Sequence, residues 1–189
     1  MKKIVVLLGV VSLCATAAIG AQAAKKMTIS NTRIIPAVQQ TTLNYGGVDM
    51  TVPQNQAMVL GQRSDGPVVA RGKDLSDVKI NNALVSTKGY SVFSIDPESN
   101  VIFLNRGSEL TLTDPSGKSV TIYPGQAVYV ADASITSETA PSLQEAAAKE
   151  AAAVAGTELD PSYVLDFDSL GSTAAQQAEE DVLSPSAPH

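Results

Sequence analysis

Residues 101–130 constrain the fold of this chain more than any other stretch of its sequence. They read V-I-F-L-N-R-G-S-E-L-T-L-T-D-P-S-G-K-S-V-T-I-Y-P-G-Q-A-V-Y-V, and apolar residues alternate with polar ones around Leu110 and Val120. A period of two is typical of β-strands, whose successive side chains point to opposite faces. Gly and Pro at residues 107, 115, 117, 124 and 125 favour turns. The stretch therefore predicts three or four short strands.

The part of the chain before this stretch continues the pattern. Turn residues recur at intervals of roughly 8–12 residues, which is typical of a sandwich, roll or small barrel. Pro36 has no amide hydrogen, so residues 34–38 are predicted to form an edge strand or a lead-in. Residues 74–82 fit a loop with one short strand. We therefore predict an all-β domain over residues 24–135, a sandwich or roll of short antiparallel strands.

An internal similarity supports the β assignment. Residues 47–60 (G-V-D-M-T-V-P-Q-N-Q-A-M-V-L) align without gaps on residues 117–130, with Gly, Thr, Gln and Ala identical at four of the 14 positions. Apolar residues alternate in the same phase in both segments. The spacing of 70 residues is too long for a solenoid repeat, so we predict one duplicated hairpin at most.

The composition changes after Pro141. Ser142 and Glu145 have the spacing of a capping box, and the Ala-rich run after them predicts a short helix over residues 141–156. Leu143 and Val154 are its only large apolar residues, which predicts a weak contact with the β domain.

The charge is concentrated at the end of the chain. Residues 24–130 carry 10 basic and 8 acidic side chains, whereas residues 131–189 carry one basic and 11 acidic ones. Residues 157–189 are therefore predicted to form an acidic, largely disordered tail. Nucleic acid is not an expected partner of such a chain.

Residues 1–23 have the pattern of a secretory signal peptide. Two lysines precede an apolar run, and small residues place the expected cleavage between Ala23 and Ala24. The alternatives are an uncleaved membrane span and a lipoprotein site at Cys14, although Leu13 stands where a lipoprotein has a small residue. Cleavage would remove the only cysteine, and the expected location is the periplasm or the cell exterior.

The sequence offers few residues for catalysis or metal binding. Its single histidine is the last residue, His189, which argues against triads and histidine metal sites. Ser76 and Lys79 have the S-x-x-K spacing of penicillin-interacting enzymes, but that motif must begin a helix and no helix pattern is present. Asp166 and Asp168 alone are too few ligands for calcium or magnesium. We predict no catalytic residue, cofactor or metal.

The alternative is an enzyme that works with carboxylates alone, such as a glycosidase with an Asp/Glu pair. Its acids would have to lie on ordered strands, where Asp49, Asp77 and Glu109 are the main choices. The chain has no Trp to stack on sugar rings. Arg106 and Lys118, each beside a glycine, are predicted to mark solvent-facing turns rather than ligand contacts.

Two runs resemble the periplasmic domain of the FecR family, a sensor type associated with ferric citrate uptake. They are V-x-x-L-x-R-G-x-x-x-x-x at residues 101–112 and G-K-x-V-T-I-x-P-G-Q-x-V at residues 117–128. Full-length members carry a cytoplasmic segment and a membrane span before this domain and signal through a sigma factor. Only three residues precede the apolar run here, so that function is not expected. The resemblance implies a secreted, all-β, non-catalytic domain.

These observations predict an exported, non-catalytic binding or scaffold module of the cell envelope, with an envelope protein or glycan as its partner. A membrane-anchored regulator is the alternative if residues 1–23 are not cleaved. In the tail, Tyr163, Leu165 and Phe167 fall on one side of an extended strand. This alternation predicts a segment that docks on an exposed sheet edge, either of this domain or of a partner.

Overall fold

The computed structural model describes residues 29–155, which form thirteen strands and one helix. The predicted cleavage site at Ala23 and Ala24 and the tail segment with Tyr163, Leu165 and Phe167 lie outside the described residues. In chain order the elements are β1 (Ile29–Ile35), β2 (Thr41–Tyr45), β3 (Val48–Val52), β4 (Met58–Arg63), β5 (Val68–Lys73), β6 (Val78–Ile80), β7 (Ala83–Lys88), β8 (Tyr90–Asp96), β9 (Val101–Arg106), β10 (Glu109–Thr113), β11 (Ser119–Ile122), β12 (Ala127–Tyr129), β13 (Asp132–Thr136) and α1 (Pro141–Ala155).

The strands form two antiparallel sheets. One has seven strands in the order β1-β4-β5-β8-β9-β12-β13, and the other has six in the order β11-β10-β7-β6-β3-β2. The predicted all-β fold of short antiparallel strands, followed by an Ala-rich helix, is confirmed. The strand before Pro36 is β1, and it lies at an edge as expected. Residues 101–130 supply the four strands β9 to β12.

The core lies between the two sheets because alternate side chains of each strand point inward. In β3, Val48, Met50 and Val52 are buried while Asp49 is exposed. In β10, Leu110 and Leu112 are buried in the same way. The main hydrophobic cluster takes side chains from both sheets, which makes the fold a sandwich.

The internal similarity corresponds to a repeated structural unit. β3 and β4 match β11 and β12: the first strand of each pair lies in the six-stranded sheet and the second lies in the seven-stranded sheet. The turn between the strands has positive φ at Asn55 (69°) and at the equivalent Gly125 (86°). The pairing β1·β4, β2·β3 and β4·β5 also recurs as β9·β12, β10·β11 and β12·β13. The similarity therefore extends over five strands. The prediction of a duplicated hairpin was wrong, because the two strands of the repeated segment lie in different sheets and do not pair with each other.

Residues 74–82 contain one short strand, β6, as expected. The backbone has positive φ on both sides of this strand, at Asp74, Asp77 and Asn81. Asp and Asn tolerate this conformation, which is typical of tight turns. Among residues 29–155, no helix has the length and apolar character that crossing a bilayer would need.

The helix spans Pro141–Ala155, close to the predicted residues 141–156, but its cap is not the one that the sequence indicated. It begins at Pro141, so Ser142 lies within its first turn and is not the cap that the capping-box pattern indicated. The carbonyl of Ala140 accepts the amides of Leu143 and Gln144. Pro suits this first helical position because its missing amide hydrogen would have no partner there.

Candidate binding surface

The two outer faces of the sandwich differ. Helix α1 packs on the outer face of the seven-stranded sheet, where Leu143 and Ala147 contact Val101, Phe103 and Ala127. No described helix or strand packs on the outer face of the six-stranded sheet. We refer to that outer face as the open face.

The open face is organised in rows that run across the strands. One row crosses all six strands, and strand register joins its members in the order Ser119, Thr113, Leu84, Lys79, Thr51 and Thr42. A second row contains Thr121, Thr111 and Ser86. With about 4.8 Å between neighbouring strands, the first row spans about 24 Å. The open face is therefore broad, and it is lined mainly by short polar side chains.

Hydroxyl groups on this face hydrogen-bond in pairs. The distances are 2.9 Å between the Oγ1 atoms of Thr111 and Thr121, 2.7 Å from Thr113 Oγ1 to Ser119 Oγ, and 3.2 Å between the Oγ1 atoms of Thr42 and Thr51. Each hydroxyl has one hydrogen and two lone pairs, so a paired hydroxyl keeps the capacity to accept a further bond. The pairs fix the side chains while leaving them able to bind a polar ligand.

Charges on the open face are mixed in sign. Glu109 lies opposite Lys88 on the neighbouring strand, and Lys79 lies near the centre of the long row. Asp49 accepts a hydrogen bond from the side-chain amide of Asn44 at 2.8 Å, and its backbone amide donates to Asn81. This mixture suits a partner that carries hydrogen-bonding groups and little net charge.

Two larger apolar side chains stand out on this side of the molecule. Leu84 is 39% exposed in the middle of the long row, and Tyr123 is 52% exposed just after β11. The alternation of residues 83–88 in the sequence could have identified Leu84 as solvent-facing, since Ala83 and Val85 are buried. The sequence analysis above did not single out this residue.

The carboxylate of Asp114 stabilises the β10–β11 turn at one end of the six-stranded sheet. Its Oδ1 accepts bonds from the hydroxyl and amide of Ser116 and from the amide of Lys118, at 2.7–3.0 Å. Its Oδ2 accepts the amide of Ala133 in the other sheet at 3.1 Å. The hydroxyl of Ser116, followed by these backbone amides, lowers the pKa of Asp114. The carboxylate thereby ties the β10–β11 hairpin to β13.

A cleft of about 380 Å³ lies at the opposite face, between α1 and the turns that follow β4 and β8. The buried guanidinium of Arg63 lies in its wall and is bonded to Asp65 and to Glu150 of α1. Burial opposes the charged form of Arg63, but the two carboxylates outweigh it and raise the pKa of the guanidinium. These charges satisfy one another, so we assign the cleft a structural role. No sequence pattern indicated this pair, whose members are 87 residues apart in the chain.

The candidate catalytic acids of the sequence analysis lie far apart on the six-stranded sheet. Asp49 is beside Asn81 at one end, Asp77 is one position before β6, and Glu109 is opposite Lys88 at the other end. Strand rise and spacing put roughly 12 Å between the backbones of Asp77 and Glu109, and about 25 Å between those of Asp49 and Glu109. The separation of Asp49 and Glu109 is too long for a glycosidase pair, whose carboxyl groups lie within about 10 Å of each other.

The remaining sequence candidates are also located. Ser76 precedes β6 and Lys79 lies within it, so their S-x-x-K spacing does not fall on a helix. Arg106 and Lys118 are solvent-exposed at strand ends, as predicted. Within residues 29–155, no group of three or more His, Cys, Asp or Glu side chains is placed to hold a metal ion.

Comparisons with known protein families, with curated proteins and with solved structures give no significant match.

Proposed function

We propose that this chain is an exported, non-catalytic binding or scaffold module of the cell envelope, and that it binds its partner through the open face. The observation that carries the proposal is the contrast between the two outer faces. The outer face of the seven-stranded sheet is packed against α1. The open face carries a row of side chains about 24 Å long, with paired hydroxyls, amides and charges of both signs, and no described element packs on it.

The chemistry of the open face supports a polar partner. Hydroxyls held in pairs need little further ordering when they bind, which lowers the entropic cost of association. Leu84 and Tyr123 offer an apolar contact at the centre and at one edge. An envelope glycan or the polar surface of an envelope protein has the groups that this face would bind.

Export is the second part of the proposal. It rests on the pattern of residues 1–23, with its lysines, apolar run and small residues before Ala24. Residues 101–112 and 117–128 resemble the FecR periplasmic domain, in keeping with this location.

Site-specific photo-crosslinking in the native envelope tests the proposal. A photoreactive amino acid at position 84, in the centre of the open face, is expected to give adducts with an envelope component. The same amino acid at Gln144, exposed on α1, is the matched control and is expected to give none. Digestion with a glycan hydrolase or with a protease then identifies the partner class. Absence of adducts at position 84, or equal adducts at both positions, would contradict the proposal.

A further inference from the structure

Among residues 29–155, the sandwich has four edge strands, and three of them are protected against pairing with a further strand. Proteins usually protect edge strands with charges, prolines, bulges or a covering segment. The strand pairing shifts register along β1 and along β13, and these strands also carry Arg33 and Asp132. Strand β11 lies beside β13, to which Asp114 and Lys118 connect its hairpin.

Strand β2, the fourth edge strand, has none of these features. It reads Thr-Thr-Leu-Asn-Tyr, without a charge or a proline. It pairs with β3 at five consecutive positions without a register shift. Within the described part of the chain, no other strand pairs with β2. The outer side of β2 is therefore a regular edge to which a further strand can be added.

The hydrogen bonds of β3 show which backbone groups of β2 face outward. The amide and the carbonyl of Asp49 both bond to Asn81, on the side away from β2. Asn44 lies directly opposite Asp49. In an antiparallel pair, positions whose residues bond to each other alternate with positions whose residues do not. The backbone amides and carbonyls of Asn44 and Thr42 therefore point to the free edge.

The repeated unit shows how the equivalent edge is filled elsewhere in the molecule. Strand β2 corresponds to β10, because each pairs with the strand that follows it in the chain. On its other side, β10 pairs with β7 at five positions. Thr111 and Thr113 of β10 are equivalent to Thr42 and Asn44, and both lie opposite residues of β7. The outer side of β2 thus corresponds to a side that is paired in the second unit.

Apolar side chains at the same end of the sandwich are incompletely buried. Leu43 and Tyr45 pack against the core but are only partly buried. The hydroxyl of Tyr45 donates to the carbonyl of Asn31, which places β1 beside β2. Ile34 of β1 is 48% exposed, and Val38 between the two strands is 39% exposed. A molecule bound at this edge would remove apolar surface from water in addition to forming backbone hydrogen bonds.

We propose that two copies of this chain pair through β2, in antiparallel orientation about a two-fold axis beside Leu43. Thr42 of each copy lies opposite Asn44 of the other, and each such pair exchanges both of its backbone hydrogen bonds. The two Leu43 side chains meet beside the axis on the core side. The same strand serves both copies, as an isologous interface requires.

The side chains of this edge suit a second copy. Asn44 uses its Nδ2 to donate to Asp49, which leaves its Oδ1 as an acceptor. The hydroxyls of Thr42 and Thr51 lie 3.2 Å apart and use one of their two hydrogens between them. Thr42 can donate the other hydrogen to Asn44 of the second copy. Because β2 carries no charge, no like charges meet at the axis.

Pairing through β2 joins the two six-stranded sheets into one sheet of twelve strands. The two open faces then lie on the same side and form one surface about 53 Å across the strands. The pairing does not depend on the proposed binding through the open face, and its test requires no envelope partner.

Sedimentation analysis of the full-length protein with Cys14→Ala tests the proposal. The protein is expected to change from monomer to dimer as its concentration rises over roughly 1–300 µM. Thr42→Pro removes an outward amide hydrogen and no bond to β3, a change that edge strands accept. It is expected to raise the dissociation constant of the dimer at least about tenfold. Thr121→Pro removes an outward amide of the edge strand β11 and is the matched control, expected to leave the constant unchanged.

Disulfide trapping provides a second measurement that does not depend on the proline variants. Leu43→Cys, with Cys14→Ala, is expected to form a disulfide-linked dimer, because the two side chains at the axis have Cβ atoms about 4.5–5.5 Å apart. Val120 is also partly buried and lies on the edge strand β11. Val120→Cys is therefore the matched control, and it is expected to form dimers at least about tenfold more slowly.

The other outcomes overturn the proposal. A protein that stays monomeric over the whole concentration range would contradict it. Equal effects of the two proline variants, or equal trapping at residues 43 and 120, would show that the contact lies elsewhere. Amide exchange at Thr42 and Asn44 is expected to slow as the protein concentration rises. Slow exchange that does not change with concentration would assign this edge to another segment of the same chain, such as residues 163–167.

Discussion

Single residues fix the turns that connect the strands, and Asp114 is the clearest example. Its carboxylate accepts four hydrogen bonds from Ser116, Lys118 and Ala133, and these lower its pKa. A lowered pKa means that the folded state favours the charged form. The resulting stability is present above the ordinary aspartate pKa of about 3.9 and is lost as the pH falls through the lower folded value.

We expect Asp114→Asn to lower the melting temperature at neutral pH, because an amide offers one oxygen in place of two and adds donors where donors already point. The variant should also lose less stability than the native protein as the pH falls below about 4. Thermal unfolding across pH 2–7 measures both effects. Glu145→Gln, on the exposed surface of α1, controls for the loss of one negative charge. Parallel pH curves for Asp114→Asn and the native protein would contradict this assignment.

A second prediction concerns the glycine of the Arg106-Gly107 turn. Gly107 has φ of 131°, and a Cβ there would lie 2.6 Å from Ser91 Oγ and 2.9 Å from the carbonyl oxygen of Tyr90. We expect Gly107→Ala to destabilise the fold by about 1–3 kcal/mol. Gly117→Ala is the control, because Gly117 also has positive φ but has open space around its Cβ position. Denaturant titration should show a larger loss for Gly107→Ala, and equal losses would rule out the clash as the cause.

At the scale of single elements, α1 is held more firmly than its sequence indicated. Leu143 and Ala147 pack on the sheet, and Glu150 reaches the buried Arg63. We expect Leu143→Ala to cost about 2–3 kcal/mol. The loss should appear as faster amide exchange in α1 before global unfolding. Gln144→Ala, on the exposed side of the same turn, should be close to neutral. Unchanged exchange in Leu143→Ala would contradict docking through this side chain.

The sequence predicted these elements with unequal success, for physical reasons. Alternation identified β10 and β11, because a strand with one buried face carries its own pattern. Turn residues marked the limits of β9 and β12, which are buried on both faces. The Ala-rich run identified α1, but the capping-box pattern indicated Ser142 as the cap, and Ser142 lies inside the first turn because the helix already begins at Pro141. The Arg63–Glu150 pair could not be predicted, since it depends on where the helix lies on the sheet.

The weak similarity between residues 47–60 and residues 117–130 indicated a structural repeat. Four identities in residues 47–60 and 117–130 correspond to matching strands in matching sheets. Asn55 and Gly125 both supply the positive φ that the connecting turn requires, which explains why two different residues occupy equivalent positions. The sequence did not indicate that the repeat covers five strands, because the other strands match in their pairing partners and not in their amino acids.

At the scale of the whole molecule, the proposed function depends on the difference between the two outer faces of the sandwich. The central strands of the seven-stranded sheet are buried on both faces, as the apolar run of residues 101–104 in β9 illustrates, whereas strands of the six-stranded sheet alternate between buried and exposed residues. The structure shows that α1 covers part of the seven-stranded sheet, and that no described element packs on the outer face of the six-stranded sheet. The proposed binding function follows from this asymmetry, and it needs no catalytic group.

Side-chain footprinting of the native protein with hydroxyl radicals, with and without an isolated envelope fraction, tests this claim most directly. Leu84 and Tyr123 report on the open-face side, and the exposed Ile135 of β13 is the control. If the open face binds the partner, the envelope fraction will protect Leu84 and Tyr123 from oxidation and leave Ile135 unchanged. Protection of Ile135 while Leu84 and Tyr123 remain fully reactive would show that binding takes place elsewhere and would contradict the account.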